Sequence, residues 1–153
     1  MPGASVFIDT NVLLYARDEE PSDLRSATAA TWLRRLAAER RGRTSLQILN
    51  EVTNVLLRKR QTLSAAEIFA EVDALRFLGA APLTESIVAS ARSIRISTQY
   101  SWWDCLLLAS ALDLGCTHFL SEDLQSGHQI TDDTGRALTI IDPFAHSPEQ
   151  ILA

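Results

Sequence analysis

The sequence is poor in the residues that mark several common kinds of site. It has two cysteines, Cys105 and Cys116, well separated and in no CxxC pair. Neither a disulfide framework nor a thiolate metal site is therefore written into it. Both cysteines stand in apolar context and read as small core residues, and a reduced, cytoplasmic setting fits them. The three histidines, His118, His128 and His146, lack the close spacing of a zinc site. G-x-G-x-x-G, G-x-x-x-x-G-K-[ST] and G-x-S-x-G are all missing, which excludes dinucleotide, P-loop and nucleophile-elbow chemistry. No apolar run is long enough to cross a bilayer, so no membrane association is expected. The opening Met1-Pro2-Gly3-Ala4-Ser5 has no basic segment, and the apolar run that follows stops at Asp9. No secretory signal is expected there.

What is present has the balance of a folded protein. Hydrophobic residues make up 46% and charged residues 22% of 153 residues. That length suits one domain spanning 1–153, and no repeat, low-complexity tract or linker interrupts it. A net charge of −5 and a pI near 5.1 argue against broad electrostatic capture of nucleic acid. The basic residues cluster at Arg34, Arg35, Arg40, Arg41 and Arg43, and again at Arg58-Lys59-Arg60. Each cluster reads as a solvated helix end, where cations are favoured.

Short strands alternate with helices along the chain. Ser5-Val6-Phe7-Ile8 reads as a buried strand, and Asp9-Thr10-Asn11 as the start of a short helix to Ala16. Ala29, Trp32, Leu33 and Leu36 mark an amphipathic helix over roughly 23–40. A very short strand is expected at 42–45, then a helix carrying Ile48, Val52, Val55 and Leu56 to about Arg60. Ser64 and Glu67 form a capping box for a helix expected to end at Gly79. A minor strand at 80–83 and a helix from Thr84 to about Ile96 follow. Trp102 to Leu114 is apolar on nearly every side and reads as a buried helix, with Trp102 expected inside. Strands at 117–120 and 138–141 are joined by a polar loop over 126–135. The pattern predicts an α/β fold with a mainly parallel sheet and helices on both faces.

In open parallel sheets, sites gather beyond the carboxyl ends of strands. Asp9 and Asp123 each follow a predicted strand, Glu51 lies early in the helix after the second strand, and Asp104 opens the buried helix. Each acid has an ordinary alternative. Asp9 serves as a helix cap, Asp104 completes a capping box with Ser101, and Glu51 sits on the flank of an apolar stripe. Glu122 competes with Asp123 for the last place. As a set, the four acids converge on one sheet edge, where they repel unless a cation is present. Oxygen-only donors suit Mg²⁺ or Mn²⁺, which hold phosphate oxygens and activate water. A phosphate-accepting receiver domain also places acids at strand ends. It needs an acidic pair after the first strand and a lysine after a late one, whereas here Asp9 is followed by Thr10-Asn11 and the single lysine, Lys59, is inside a helix.

Val6-Phe7-Ile8-Asp9-Thr10-Asn11-Val12-Leu13-Leu14-Tyr15-Ala16 closely resembles the opening of the PIN domain. Thr44-Ser45 with Glu51, then Trp103-Asp104, then Leu120-Ser121-Glu122-Asp123-Leu124-Gln125 with Gly127 resemble its later motifs in order, and Ile140-Ile141-Asp142-Pro143-Phe144 its end. The resemblance covers essentially the whole chain, in the branch of the VapC toxins of toxin–antitoxin pairs. It implies a PIN-like α/β/α sandwich and Mg²⁺- or Mn²⁺-dependent cleavage of RNA, with Asp9, Glu51, Asp104 and Asp123 as catalytic, metal-binding acids. Asn11 and Ser45, with Glu122, would be supporting residues. The resemblance also implies a homodimer and a cognate antitoxin protein as partner. The bulky Trp102-Trp103 pair departs from the family pattern and offers a surface for RNA stacking. Two other readings compete with the nuclease: a non-catalytic PIN-like RNA- or protein-binding module, and a metal-dependent phosphatase of small molecules.

Overall fold

The computed structural model describes residues 3–17, 24–59 and 62–152. Among these residues, five strands form one sheet: β1 (Val6–Ile8), β2 (Gly42–Arg43), β3 (His118–Leu120), β4 (Gln129–Thr131) and β5 (Ala137–Ile141). Their order across the sheet is β2-β1-β3-β5-β4. All neighbours run parallel except β4, which pairs antiparallel with β5. The sheet is flanked by α1 (Thr10–Ala16), α2 (Leu24–Ala38), α3 (Leu46–Lys59), α4 (Ala65–Asp73), α5 (Glu85–Ser97), α6 (Trp102–Asp113) and α7 (Pro148–Leu152).

The central strands are continuous apolar runs because both of their faces are covered. Val6, Phe7 and Ile8 in β1, and Phe119 and Leu120 in β3, are all buried. The register pairs Phe7 with Phe119, whose rings stack at 5.2 Å. Such a pair contributes about 1 kcal/mol beyond its buried area. At the edge, β2 packs closely through a glycine. A Cβ on Gly42 would lie 2.8 Å from Leu78 Cδ2, so a larger residue there requires the Leu78 side chain to shift. Trp32 of α2 is fully buried, and its Nε1–H donates to the carbonyls of Pro143 (3.0 Å) and His146 (3.1 Å). That donor pins the segment after β5 against the second helix.

Several sequence expectations are corrected here. The helix capped by Ser64 ends at Asp73, and a 3₁₀ turn over Arg76–Leu78 separates it from Gly79, which takes φ 100°. The expected strand at 80–83 is a single bridge between Ser45 and Ala81. The loop over 126–135 contains β4, so it is a hairpin rather than an irregular connection. The short helix α7 had no sequence signal strong enough to be expected. The start of the helix expected from residue 23, and Arg60 at the end of the next, lie outside the described residues.

Helix α6 is buried from Cys105 to Leu112 as expected, but its first turn is not. Trp102 is 37% and Trp103 64% exposed. The expectation of a buried Trp102 fails because the helix enters the core only after its first turn. Both cysteines are buried and unpaired, and burial raises both thiols, that of Cys116 to about 11. Two arginines of the first cluster are ion-paired. Arg35 pairs with Glu39 and with Glu149 (3.3 Å), and Arg41 lies 3.7 Å from Glu39.

Candidate active site

Adjacent parallel strands bring the first two acids together. β1 and β3 end side by side, with Ile8 opposite Leu120, and the Asp9 N–H donates to the Leu120 carbonyl at 3.2 Å. Asp9 thus leaves β1 next to Ser121, and Asp123 follows two residues later. Asp9 also caps α1, its carboxylate accepting from the Thr10 N–H at 2.7 Å. The next two side chains reach outward to other acids. Thr10 Oγ1 donates to Glu51 Oε2 at 2.6 Å, and Asn11 Nδ2 donates to Asp123 Oδ2 at 2.8 Å. The run Asp9-Thr10-Asn11 therefore organises three acids from three segments.

Asp104 arrives on α6. The Ser101 hydroxyl donates to Asp104 Oδ2 at 2.9 Å and accepts from the Asp104 N–H at 3.1 Å, an N-terminal cap that also orients the carboxylate. Glu51 comes one turn into α3, where Gln47 Nε2 lies 3.4 Å from Glu51 Oε1. Asp9, Glu51, Asp104 and Asp123 line one cleft of about 330 Å³, together with Thr10, Asn11, Asn54 and Arg58.

The electrostatics of the cleft centre on Asp9. Its pKa is raised from the ordinary 3.8 to about 6, chiefly by burial. Hydrogen bonds from the Thr10 N–H and the Ser121 side chain oppose the shift, while the neighbouring charges of Asp104 and Glu51 add to it. The acids are close enough to feel one another, yet they are not gathered into a finished cage. Among the described residues, no three histidine, cysteine or acidic side chains are set so as to hold one metal ion. Thr10 and Asn11 draw Glu51 and Asp123 toward α1, while Ser101 holds Asp104 at the start of α6.

Two of the expected supporting residues lie elsewhere. Ser45 is buried at the start of α3, with its Oγ 3.5 Å from the Ile48 N–H. Glu122 turns toward Arg25, at 3.6 Å. Thr10, Ser121 and Arg58 were not singled out as site residues from sequence. Thr10 and Ser121 look like ordinary cap and turn residues until the strands are paired. Arg58 belongs to a basic helix end whose direction is decided by packing.

Comparison with known proteins agrees with this architecture. No curated protein matches the sequence. A toxin–antitoxin complex from Klebsiella pneumoniae contains a chain of similar fold, with a TM-score of 0.63 and 16% identity over 91% of this chain and 98% of that one. FitAcB from Neisseria gonorrhoeae superposes with a TM-score of 0.55 and 17% identity, covering 92% and 99% of the two chains. Mycobacterium tuberculosis VapC20, a sarcin–ricin loop cleaving toxin, gives a TM-score of 0.54 and 23% identity over 75% of this chain and 87% of its own. At these identities the likeness is one of fold. In sequence, the PIN domain model matches residues 6–128, from the first strand through the acidic stretch after the third, and the chain belongs to the PIN domain family.

Proposed function

We propose that this chain is a metal-dependent endoribonuclease, the toxin of a type II toxin–antitoxin pair, built as one domain and acting in the cytoplasm. The observation that carries the reading is the cleft itself, where four acids from four chain segments converge and Asp9 is pushed up to about 6. A scaffold gains nothing by holding like charges together.

The donor chemistry fits Mg²⁺ or Mn²⁺, because the cleft offers carboxylate oxygens and no histidine or cysteine. Asp9, Glu51, Asp104 and Asp123 are the residues that would hold the ion, which when bound supplies charge neutralisation for a phosphodiester and acidifies water. The protein's own groups do the positioning. Thr10 aims Glu51, Asn11 aims Asp123, and Ser101 fixes Asp104. Arg58 gives this acid-rich cleft a cation for a phosphate oxygen. Water attacks phosphorus in line with the 3′-oxygen, the P–O3′ bond breaks, and the products are a 5′-phosphate and a 3′-hydroxyl. The similar solved structures include a toxin–antitoxin complex and a loop-cleaving toxin, which supports an antitoxin partner and an RNA substrate. A homodimer belongs to the same proposal.

The test is cleavage of RNA by the purified protein with Mg²⁺ or Mn²⁺, with EDTA, and by Asp9→Asn. Loss of cleavage in the last two is expected, with the fold intact by circular dichroism. Cleavage by Asp9→Asn at the wild-type rate would overturn the assignment. The open spacing of the acids favours one other reading, a non-catalytic binding module. It predicts RNA binding indifferent to EDTA, no cleavage and no heat on metal titration.

A further inference from the structure

The acid cleft continues into a second, larger depression. An open groove of about 540 Å³ shares Glu51 and Asn54 with it and is lined further by Leu46, Gln47, Asn50, Leu83 and Trp103. The two belong to one track along α3. Gln47, Asn50, Asn54 and Arg58 recur every three or four residues, so they form a single stripe on the helix. At 1.5 Å per residue that stripe is about 16 Å long, enough for more than one nucleotide. Its chemistry changes along its length, from neutral amides beside Trp103, through Glu51, to a guanidinium within the acid cleft.

Trp103 is the unusual member. It is 64% exposed, so a large apolar ring is left in water rather than packed. The core does not use it, while the next residue in the chain, Asp104, lines the acid cleft. An exposed indole with side-chain amides beside it matches a nucleobase, which offers a π-face for stacking and donors and acceptors at its edge. The same surface suits a phosphate poorly, because its amides are uncharged.

We propose that this groove is a nucleobase subsite, in which Trp103 stacks on an unpaired base of an RNA strand whose backbone crosses the acid cleft. Asn50 meets the base edge, and Arg58 meets a phosphate further along the strand. A base stacked on Trp103 has left its own helix, so the substrate is single-stranded RNA or a loop rather than a duplex. This rests on the ribonuclease reading for the path of the strand.

The test is binding of a short fluorescent single-stranded oligoadenylate in EDTA, followed by anisotropy, with the same strand annealed to its complement as control. Trp103→Ala is expected to weaken single-strand binding about tenfold or more, as loss of one stacked base does. Trp103→Phe should stay within about threefold of wild type, because a smaller ring still stacks. Intrinsic tryptophan emission should be quenched by the single strand in wild type and in Trp102→Phe, but not in Trp103→Phe. Unchanged affinity in Trp103→Ala overturns the subsite, as does an equal loss for the duplex. A change in particle mass by light scattering in that variant also overturns it, since the face then serves protein contact. The cleavage assay separates the two readings. Trp103-dependent binding without Mg²⁺- or Mn²⁺-dependent cleavage removes the nuclease and keeps the subsite, whereas cleavage by Trp103→Ala with unchanged KM removes the subsite and keeps the nuclease.

Discussion

Asp132 sits in the turn between β4 and β5, where its carboxylate accepts from the Thr134 N–H (2.9 Å), the Thr134 hydroxyl (2.7 Å), the Arg136 N–H (3.0 Å) and Arg136 Nε (2.9 Å). Burial pulls its pKa upward, but those hydrogen bonds outweigh it and hold the group below the ordinary carboxylate range. Asp9 sits at the end of β1 with fewer donors and two acidic neighbours, and its pKa moves the other way. Both residues organise local backbone. The difference is that the chain balances the charge of Asp132 within five residues, whereas among the described residues burial and two acids outweigh the two hydrogen bonds to Asp9. A carboxylate whose partners are all local and sufficient is structural. One whose surroundings resist its ionisation is where a cation gains most by binding.

The comparison is sharpest in activity. Asp9→Asn should lower RNA cleavage by at least about a hundredfold in a steady-state assay, because it removes one charge from the cleft while Asn keeps the helix cap. Asp132→Asn should leave cleavage within about twofold. Equal losses in the two variants would erase the distinction.

Stability should separate them with opposite signs. The folded pKa of Asp9 lies above its unfolded value, so the native state binds more protons between about pH 4 and pH 6 and loses stability as pH rises through that window. Over a shift from 3.8 to about 6 the cost is at most about 3 kcal/mol, complete above pH 6. In metal-free buffer, denaturant titrations should therefore find Asp9→Asn more stable than wild type above pH 6 and equal to it below pH 4. Added Mg²⁺ or Mn²⁺ should raise the wild-type melting temperature above pH 6, leave that of Asp9→Asn in place, and be reversed by EDTA. For Asp132 the folded pKa is depressed, so its contribution is present above the unfolded pKa and fades as pH falls through the folded one. Asp132→Asn should destabilise the protein by about 1 kcal/mol near neutral pH, from weakened charge-assisted hydrogen bonds.

The smallest effect is expected at Glu122. It faces Arg25 at 3.6 Å in a solvent-accessible pair, and such pairs contribute about 0–1 kcal/mol. Glu122→Gln should change neither melting temperature nor cleavage appreciably, while Asp123→Asn, beside Asn11 in the cleft, should impair cleavage. The reverse order would make Glu122 the fourth acid.

Much of the scaffold was legible because it is local. The strand at Val6–Ile8, the caps at Asp9, Ser64, Thr84 and Ser101, and the stop at Gly115 all depend on a few neighbouring residues, and the structure has them. β4 was not legible. Gln129-Ile130-Thr131 is too short and too polar to announce a strand, and it exists because β5 offers it an edge. The exposure of Trp102 was hidden for the same kind of reason. Its helix is apolar throughout, and only the angle at which that helix enters the core decides which end stays wet.

The order of the acids along the chain, the helix caps around them and the family motif are properties of the sequence alone, because each is set within a turn or two of backbone. Tertiary structure decided that the four acids share one cleft, that Thr10 and Asn11 reach across to Glu51 and Asp123, and that the α3 stripe joins the cleft to Trp103. Those contacts link residues roughly 40 to 110 positions apart. Their geometry comes from the pairing of β1 with β3 and the packing of α3 and α6 around it, which no local pattern specifies.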